Sequence, residues 1–206
     1  MCEEENIVKR ARCERCQRPL ARCYCAQLST IDNTLPIWIL QHPTEVRHAL
    51  GTARIAAIGL RDCTLEVSKH VDANHPFANT ELAPVLIYPG PSSRPLQALA
   101  HAPRSPLLFI DATWRKSRRM LIENPWLEAL PRYALPTPPP SHYRIRREPN
   151  PEAISTLEAI VHCLGLLEGD DKRYQPLLKQ MDRLVDEQIA HMGEEVFARN
   201  YQREED

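Results

Sequence analysis

The apolar positions of this chain gather into short compact runs separated by polar and proline-rich stretches. Residues 35–40 (LPIWIL) form the first run, and its length and its β-branched and aromatic content predict a buried strand. It stops at Gln41-His42-Pro43, a loop signal. Residues 44–60 (TEVRHALGTARIAAIGL) predict a helix despite two glycines, with Thr44 as cap, although Arg47 stands where a capping box needs Glu or Gln. A weaker strand is predicted over 62–67. A stronger one over 83–88 (APVLIY) is closed by the turn residues Pro89-Gly90-Pro91. Residues 106–110 (PLLFI) are a third compact run, which delivers the chain into Asp111-Ala112-Thr113-Trp114. A helix follows over 115–124 and stops before Pro125. Residues 131–151 hold seven of the 19 prolines and predict an extended, stiffened loop, because proline fixes φ and removes a donor. Residues 152–167 predict a helix with an apolar stripe of Ile154, Leu157, Ile160, Val161, Leu164 and Leu167. A last amphipathic helix is predicted from about 175 to 198.

Strands alternating with helices predict an α/β fold with a mainly parallel sheet. Ligands of such sheets bind beyond the carboxyl ends of the strands. The loops at Gln41, Tyr88 and Asp111 are all of that kind. With 206 residues the chain reads as one domain, 31–206, preceded by a cysteine- and arginine-rich arm, 1–30. No apolar run approaches the roughly 18–20 residues that cross a bilayer. The opening MCEEENIVKR is acidic and polar, unlike a secretory signal, so a cytoplasmic location is expected.

A net charge of −1 excludes a uniformly basic nucleic-acid binder. The distribution is less even than the sum. Six cations against the one anion Glu14 lie between Lys9 and Arg22, including Arg15, Arg18 and Arg22. Arg115, Lys116, Arg118 and Arg119 make a second cluster, and Arg144, Arg146 and Arg147 a third. Such patches are either solvated surface or phosphate contacts. Four of the seven cysteines fall in Cys13-x2-Cys16-x6-Cys23-x-Cys25. Four thiolates meet the tetrahedral demand of zinc, and a four-cysteine site is closed and structural. Cys2, Cys63 and Cys163 lie outside the pattern.

Asp111-Ala-Thr-Trp114 can be read as a capped strand end or as a site in which a carboxylate binds a proton or a cation and an indole offers a stacking face. Gln41-His42-Pro-Thr-Glu45 brings His and Glu into one strand-end loop. Ser155-Thr156-Leu-Glu158 at a helix start reads as a cap or as a ligand-facing terminus. Neither a Walker loop nor a Gly-rich dinucleotide fingerprint occurs, and the chain has only six glycines.

These segments, together with Tyr88-Pro89-Gly90 and Tyr143-Arg144-Ile-Arg146-Arg147 and in this order, resemble the DTW-domain family, the tRNA-uridine aminocarboxypropyltransferases. The resemblance spans residues 13 to about 160; Ala112 stands where many members have Gly. It implies a SPOUT-like fold with a C-terminal knot, which no periodicity could reveal. It implies S-adenosylmethionine as donor and a tRNA uridine as acceptor, typically position 47 of the variable loop, with methylthioadenosine as by-product. Asp111 would be the base or the anchor of the donor's ammonium group, with Trp114, Glu45 and His42 beside it. Tyr88, Pro89, Gly90, Thr113, Ser155 and Thr156 would hold the donor, and His42, Glu45 and Arg144 would face the acceptor. The three basic clusters would hold the tRNA, zinc would order the arm, and the chain is expected to act as a monomer. A methyltransferase using the same donor and a non-catalytic zinc-containing RNA-binding protein are the competing readings.

Overall fold

The computed structural model describes residues 11–48, 50–72, 75–78, 80–100, 104–137, 139–145 and 153–201. Six strands, β1 (Ile37–Gln41), β2 (Cys63–Val67), β3 (Val85–Ile87), β4 (Arg94–Pro95), β5 (Leu107–Asp111) and β6 (Arg132–Ala134), form one sheet in the order β2-β1-β5-β3-β6-β4. Every pairing is parallel. The expected mainly parallel α/β architecture is therefore present. Side-chain alternation divides the central strands between two cores. Ile37, Ile39, Leu107 and Phe109 feed one, whereas Trp38, Leu40, Leu108 and Ile110 feed the other. Burial on both faces explains why these strands read as continuous apolar runs rather than alternating ones.

The first face is covered by α1 (Thr52–Gly59), α4 (Thr156–Glu168) and α5 (Gln175–Met192). The second carries α2 (Trp114–Glu123) and α3 (Pro125–Ala129). A short α6 (Glu194–Tyr201) follows Gly193. A Cβ added to Gly59 would lie 2.4 Å from Leu177 Cδ2, so α1 and α5 approach through a position that admits no side chain.

Four expectations change. The helix expected over 44–60 is a 3-10 turn, Pro43–Glu45, followed by α1, which starts only at Thr52 after Gly51. Thr44 caps nothing; its backbone N–H instead donates to the side chain of His42, which caps the turn. The last helix breaks at Gly193, whose φ of 85° lies where L side chains rarely go. The proline-rich stretch contains strand β6, and the unpredicted β4 ends in Pro95, as an edge strand tolerates. The helix expected from 152 begins at Thr156, after Ser155 and a full capping box with Glu158.

The arm packs on α5. Tyr24 and Cys16 are buried in the first core, Arg18 pairs with Glu187 at 2.8 Å, and the Arg22 guanidinium lies 2.7 Å from His191 Nε2. No helix among the described residues is long and apolar enough to cross a membrane.

Candidate active site

A cavity of about 600 Å³ opens beyond the carboxyl ends of β1, β3 and β5 and the start of α4. This is where a parallel sheet leaves room, because its helices cover the faces and not the strand ends. Asp111 lies in its wall, at the last position of β5. The parallel register sets Gln41 directly beside it. Gln41 Nε2 donates to Asp111 Oδ2 at 2.7 Å, and Thr156 Oγ1 donates to Oδ1 at 2.7 Å. Burial pushes the Asp111 carboxyl above its ordinary range, against those two hydrogen bonds, which favour the charged form. None of the ion pairs among the described residues includes Asp111.

Aromatic side chains build the neighbouring wall. Tyr88 and Trp114 meet edge to face with ring centroids 5.6 Å apart, and Arg132 lies 5.8 Å from the Tyr88 ring. Tyr88 Oη and Ser117 Oγ lie 2.9 Å apart. Pro89, Thr113, Ser155 and Thr156 also line the cavity. Gly90 does not; it forms a turn with Ser93, whose Oγ donates to the Gly90 carbonyl at 2.7 Å. Ser155 is buried, its Oγ accepts from Glu158 N–H at 3.2 Å, and its N–H donates to Glu158 Oε2 at 2.6 Å. The Glu158 carboxylate also takes the Ser141 hydroxyl and the His142 N–H, which straps 139–145 to α4 and brings Tyr143 and Ile145 to the cavity.

Glu45 lines the mouth. Burial opposes its ionisation, but the Lys116 ammonium at 2.7 Å outweighs that and lowers its pKa. Lys116 is thus held by Glu45 and by Thr44 Oγ1. His42 lies outside the cavity lining, with its pKa lowered by burial and by Lys116. Two residues given no role from sequence stand here: Gln41, buried beside Asp111, and His48, in the cavity wall. No sequence period marks either; the parallel register places the first and the turn after β1 the second.

The basic clusters differ in how free they are. Arg115 and Arg118 are exposed on α2, while Arg119 pairs with Glu123 at 2.6 Å. Arg15 is exposed on the arm, whereas Arg18 and Arg22 are engaged with α5. Arg144 pairs with Asp186. Arg146 and Arg147 lie outside the described residues.

The four arm cysteines converge, with all Sγ atoms within 4.8 Å of one another. Cys13 and Cys25 Sγ lie 3.7 Å apart, and Cys16 and Cys23 3.8 Å. A tetrahedron with zinc–sulfur bonds of about 2.3 Å has an edge of roughly 3.8 Å, so this donor set fits the metal. The turn that brings Cys16 back to Cys13 puts the non-glycine Gln17 at a φ of 59°. The Cys16 and Cys23 groups lower the Cys13 thiol to about 6, while burial pushes Cys25 up to about 12.

A parallel α/β domain with a desolvated carboxylate and paired aromatics in one strand-end cavity, joined to a tetrathiol arm, is the class of protein that the structure defines. The chain belongs to the DTW-domain family, whose model matches residues 10–189. It is 30% identical over 94% of its length to tRNA-uridine aminocarboxypropyltransferase 2 of Drosophila melanogaster, covering 83% of that protein. It is 26% identical over 96% of its length to the mouse enzyme of the same name, covering 70% of it. Similarity to tRNA-uridine aminocarboxypropyltransferase A of Arabidopsis thaliana is 28% over 92% of the chain and 86% of that protein. No solved structure matches the chain significantly.

Proposed function

We propose that this protein transfers the 3-amino-3-carboxypropyl group of S-adenosylmethionine to N3 of a tRNA uridine, at position 47 by resemblance, and releases methylthioadenosine. The names of its relatives support the group and the acceptor. The observation that carries the chemistry is the desolvated Asp111 carboxylate, without an ion-pair partner among the described residues and in one cavity wall with Trp114 and Tyr88.

In the proposed reaction the uridine N3 gives up its proton and attacks the γ-carbon of the methionyl arm. The carbon–sulfur bond breaks and its electron pair returns to sulfur. The sulfonium is already an activated leaving group, so the protein's task is to position it and to take the proton. We assign the proton to Asp111, because a carboxylate raised toward neutrality is the better base. Tyr88, Pro89, Thr113, Ser155 and Thr156 would line the donor's site, and Trp114 would help shape the donor or uridine site. Glu45, paired to Lys116, would stand on the acceptor side. Arg15, Arg115 and Arg118 would meet the tRNA backbone, with Arg144, Arg146, Arg147 and His42 flanking it. Zinc on the four cysteines would fix the arm, and the C-terminal segment would carry the SPOUT-like knot. The chain would act as a cytoplasmic monomer.

The by-product tests the reading against its nearest rival. Chromatography of a reaction with unmodified tRNA is expected to yield methylthioadenosine. S-Adenosylhomocysteine instead would make the protein a methyltransferase, and neither would leave a binding protein.

A further inference from the structure

Gln41 is an expensive residue to bury at a strand end. Its side chain is 1% exposed, its Nε2 donates to Asp111 Oδ2, and its Oε1 has no hydrogen-bond partner among the described residues. Leucine would fill a similar volume without burying an unpaired acceptor, whose lost hydration is costly. A position that breaks the packing rule in this way is where function competes with stability. The amide has one hydrogen bond, and it goes to the carboxylate of the site.

The two donors on Asp111 are not equivalent. Thr156 comes from α4 and lines the cavity, so it can touch a ligand. Gln41 comes from β1, is not part of the lining, and reaches a ligand only through Asp111. The register pair Gln41–Asp111 fixes its backbone relative to that carboxylate. Together the two donors grip both oxygens and so set the rotation of the carboxylate about its χ2.

We infer that Gln41 is a positioning residue, which holds the Asp111 carboxylate in the orientation that meets the substrate. The inference rests on the proposal that Asp111 acts on that substrate. Both donors also favour the charged form against the burial that opposes it. The side chains whose charge bears on Asp111 include Glu45, which opposes its ionisation, and the His48 imidazole, which supports it when protonated. Both follow β1, and Glu45 is itself tied to Lys116 of α2. The group facing it from α4 is the uncharged Thr156 hydroxyl.

The test compares full-length wild type with Gln41→Leu. Melting at neutral pH is expected within a few degrees of wild type, because the orphaned Gln41 acceptor is gone while Asp111 Oδ2 loses its donor. KM for the donor is expected within about threefold, since Gln41 does not touch it, while kcat falls on the order of 10- to 100-fold, the usual cost of losing a supporting hydrogen bond. The Asp111 carboxyl carbon, followed by 13C NMR and assigned with Asp111→Asn, is expected to titrate at a higher pH in Gln41→Leu, because a donor to the charged form is lost. Wild-type kcat with an unchanged titration would overturn the inference. A lowered melting temperature with an unchanged titration would make Gln41 merely structural. If Gln41→Leu does not fold, Gln41→Asn, one methylene too short to reach, replaces it with the same expectations for kcat and for the titration. If wild type transfers nothing, the reading of Asp111 as the reacting group fails by itself. The titration still decides: a shift upholds the hold of Gln41 on Asp111, and no shift ends it.

Discussion

At the scale of single residues, the raised pKa of Asp111 comes from burial, with no ion-pair partner among the described residues. Two neutral donors orient the carboxylate, but neither neutralises it. Asp111→Asn is expected to lower transfer by about 10²–10⁴-fold, the range of a lost general base, with donor binding by calorimetry little changed. Loss of donor binding instead would make Asp111 the ammonium anchor. The same variant is expected to melt higher at neutral pH. The folded-state pKa is raised, so the native chain holds its proton more tightly than the unfolded one, and the ionised form costs stability above that pKa. The gain should shrink as the pH falls toward the ordinary carboxylate range; a gain independent of pH would contradict this account. Much of the site was legible at this scale. Asp111, Tyr88 and the Ser155–Thr156 pair sit where an apolar run ends or a helix starts, and such ends mark the strand-end cavity of a parallel sheet. Gln41 was not legible as a partner of Asp111, because 70 residues separate them and only the strand register joins them.

The elements show what pattern can and cannot report. The strands at 37–41, 85–87 and 107–111 were readable because burial on both faces leaves short unbroken apolar runs. The pattern places the helix expected over 44–60 too early because apolar spacing at Val46, Leu50 and Ile55 continues through Gly51, while the backbone turns there. Gly193 likewise splits a continuous amphipathic pattern into α5 and α6. The start of α4 is the element with most to lose. Its Glu158 is 1% exposed and accepts from Ser141, His142 and Ser155. Glu158→Gln would turn an amide N–H₂ toward those donors, so a cost of about 1–3 kcal/mol is expected in urea denaturation. Because the strap at 139–145 hangs on the same carboxylate, the KM for the donor should rise with it. A stable variant with an unchanged KM would show that the strap is held by other means.

The whole molecule joins a strand-end cavity of about 600 Å³ to an arm that a metal would order. The arm is anchored by Tyr24, Arg18 and Arg22 on α5, so removal of the metal should loosen it without unfolding the sheet. Protein purified without chelator is expected to hold about one zinc per chain by elemental analysis, and chelation should speed tryptic cleavage within residues 12–22. Less than about half an equivalent, or cleavage indifferent to chelator, would count against the four-thiol site. The central claim is that a sulfonium donor is held so that its longer arm, and not its methyl, meets a tRNA uridine. Mass analysis of nucleosides from unmodified tRNA, incubated with the purified protein and S-adenosylmethionine, tests it most directly. The account predicts one uridine per tRNA carrying an aminocarboxypropyl increment on N3. A methyl-sized increment, or unmodified uridine throughout, would contradict it.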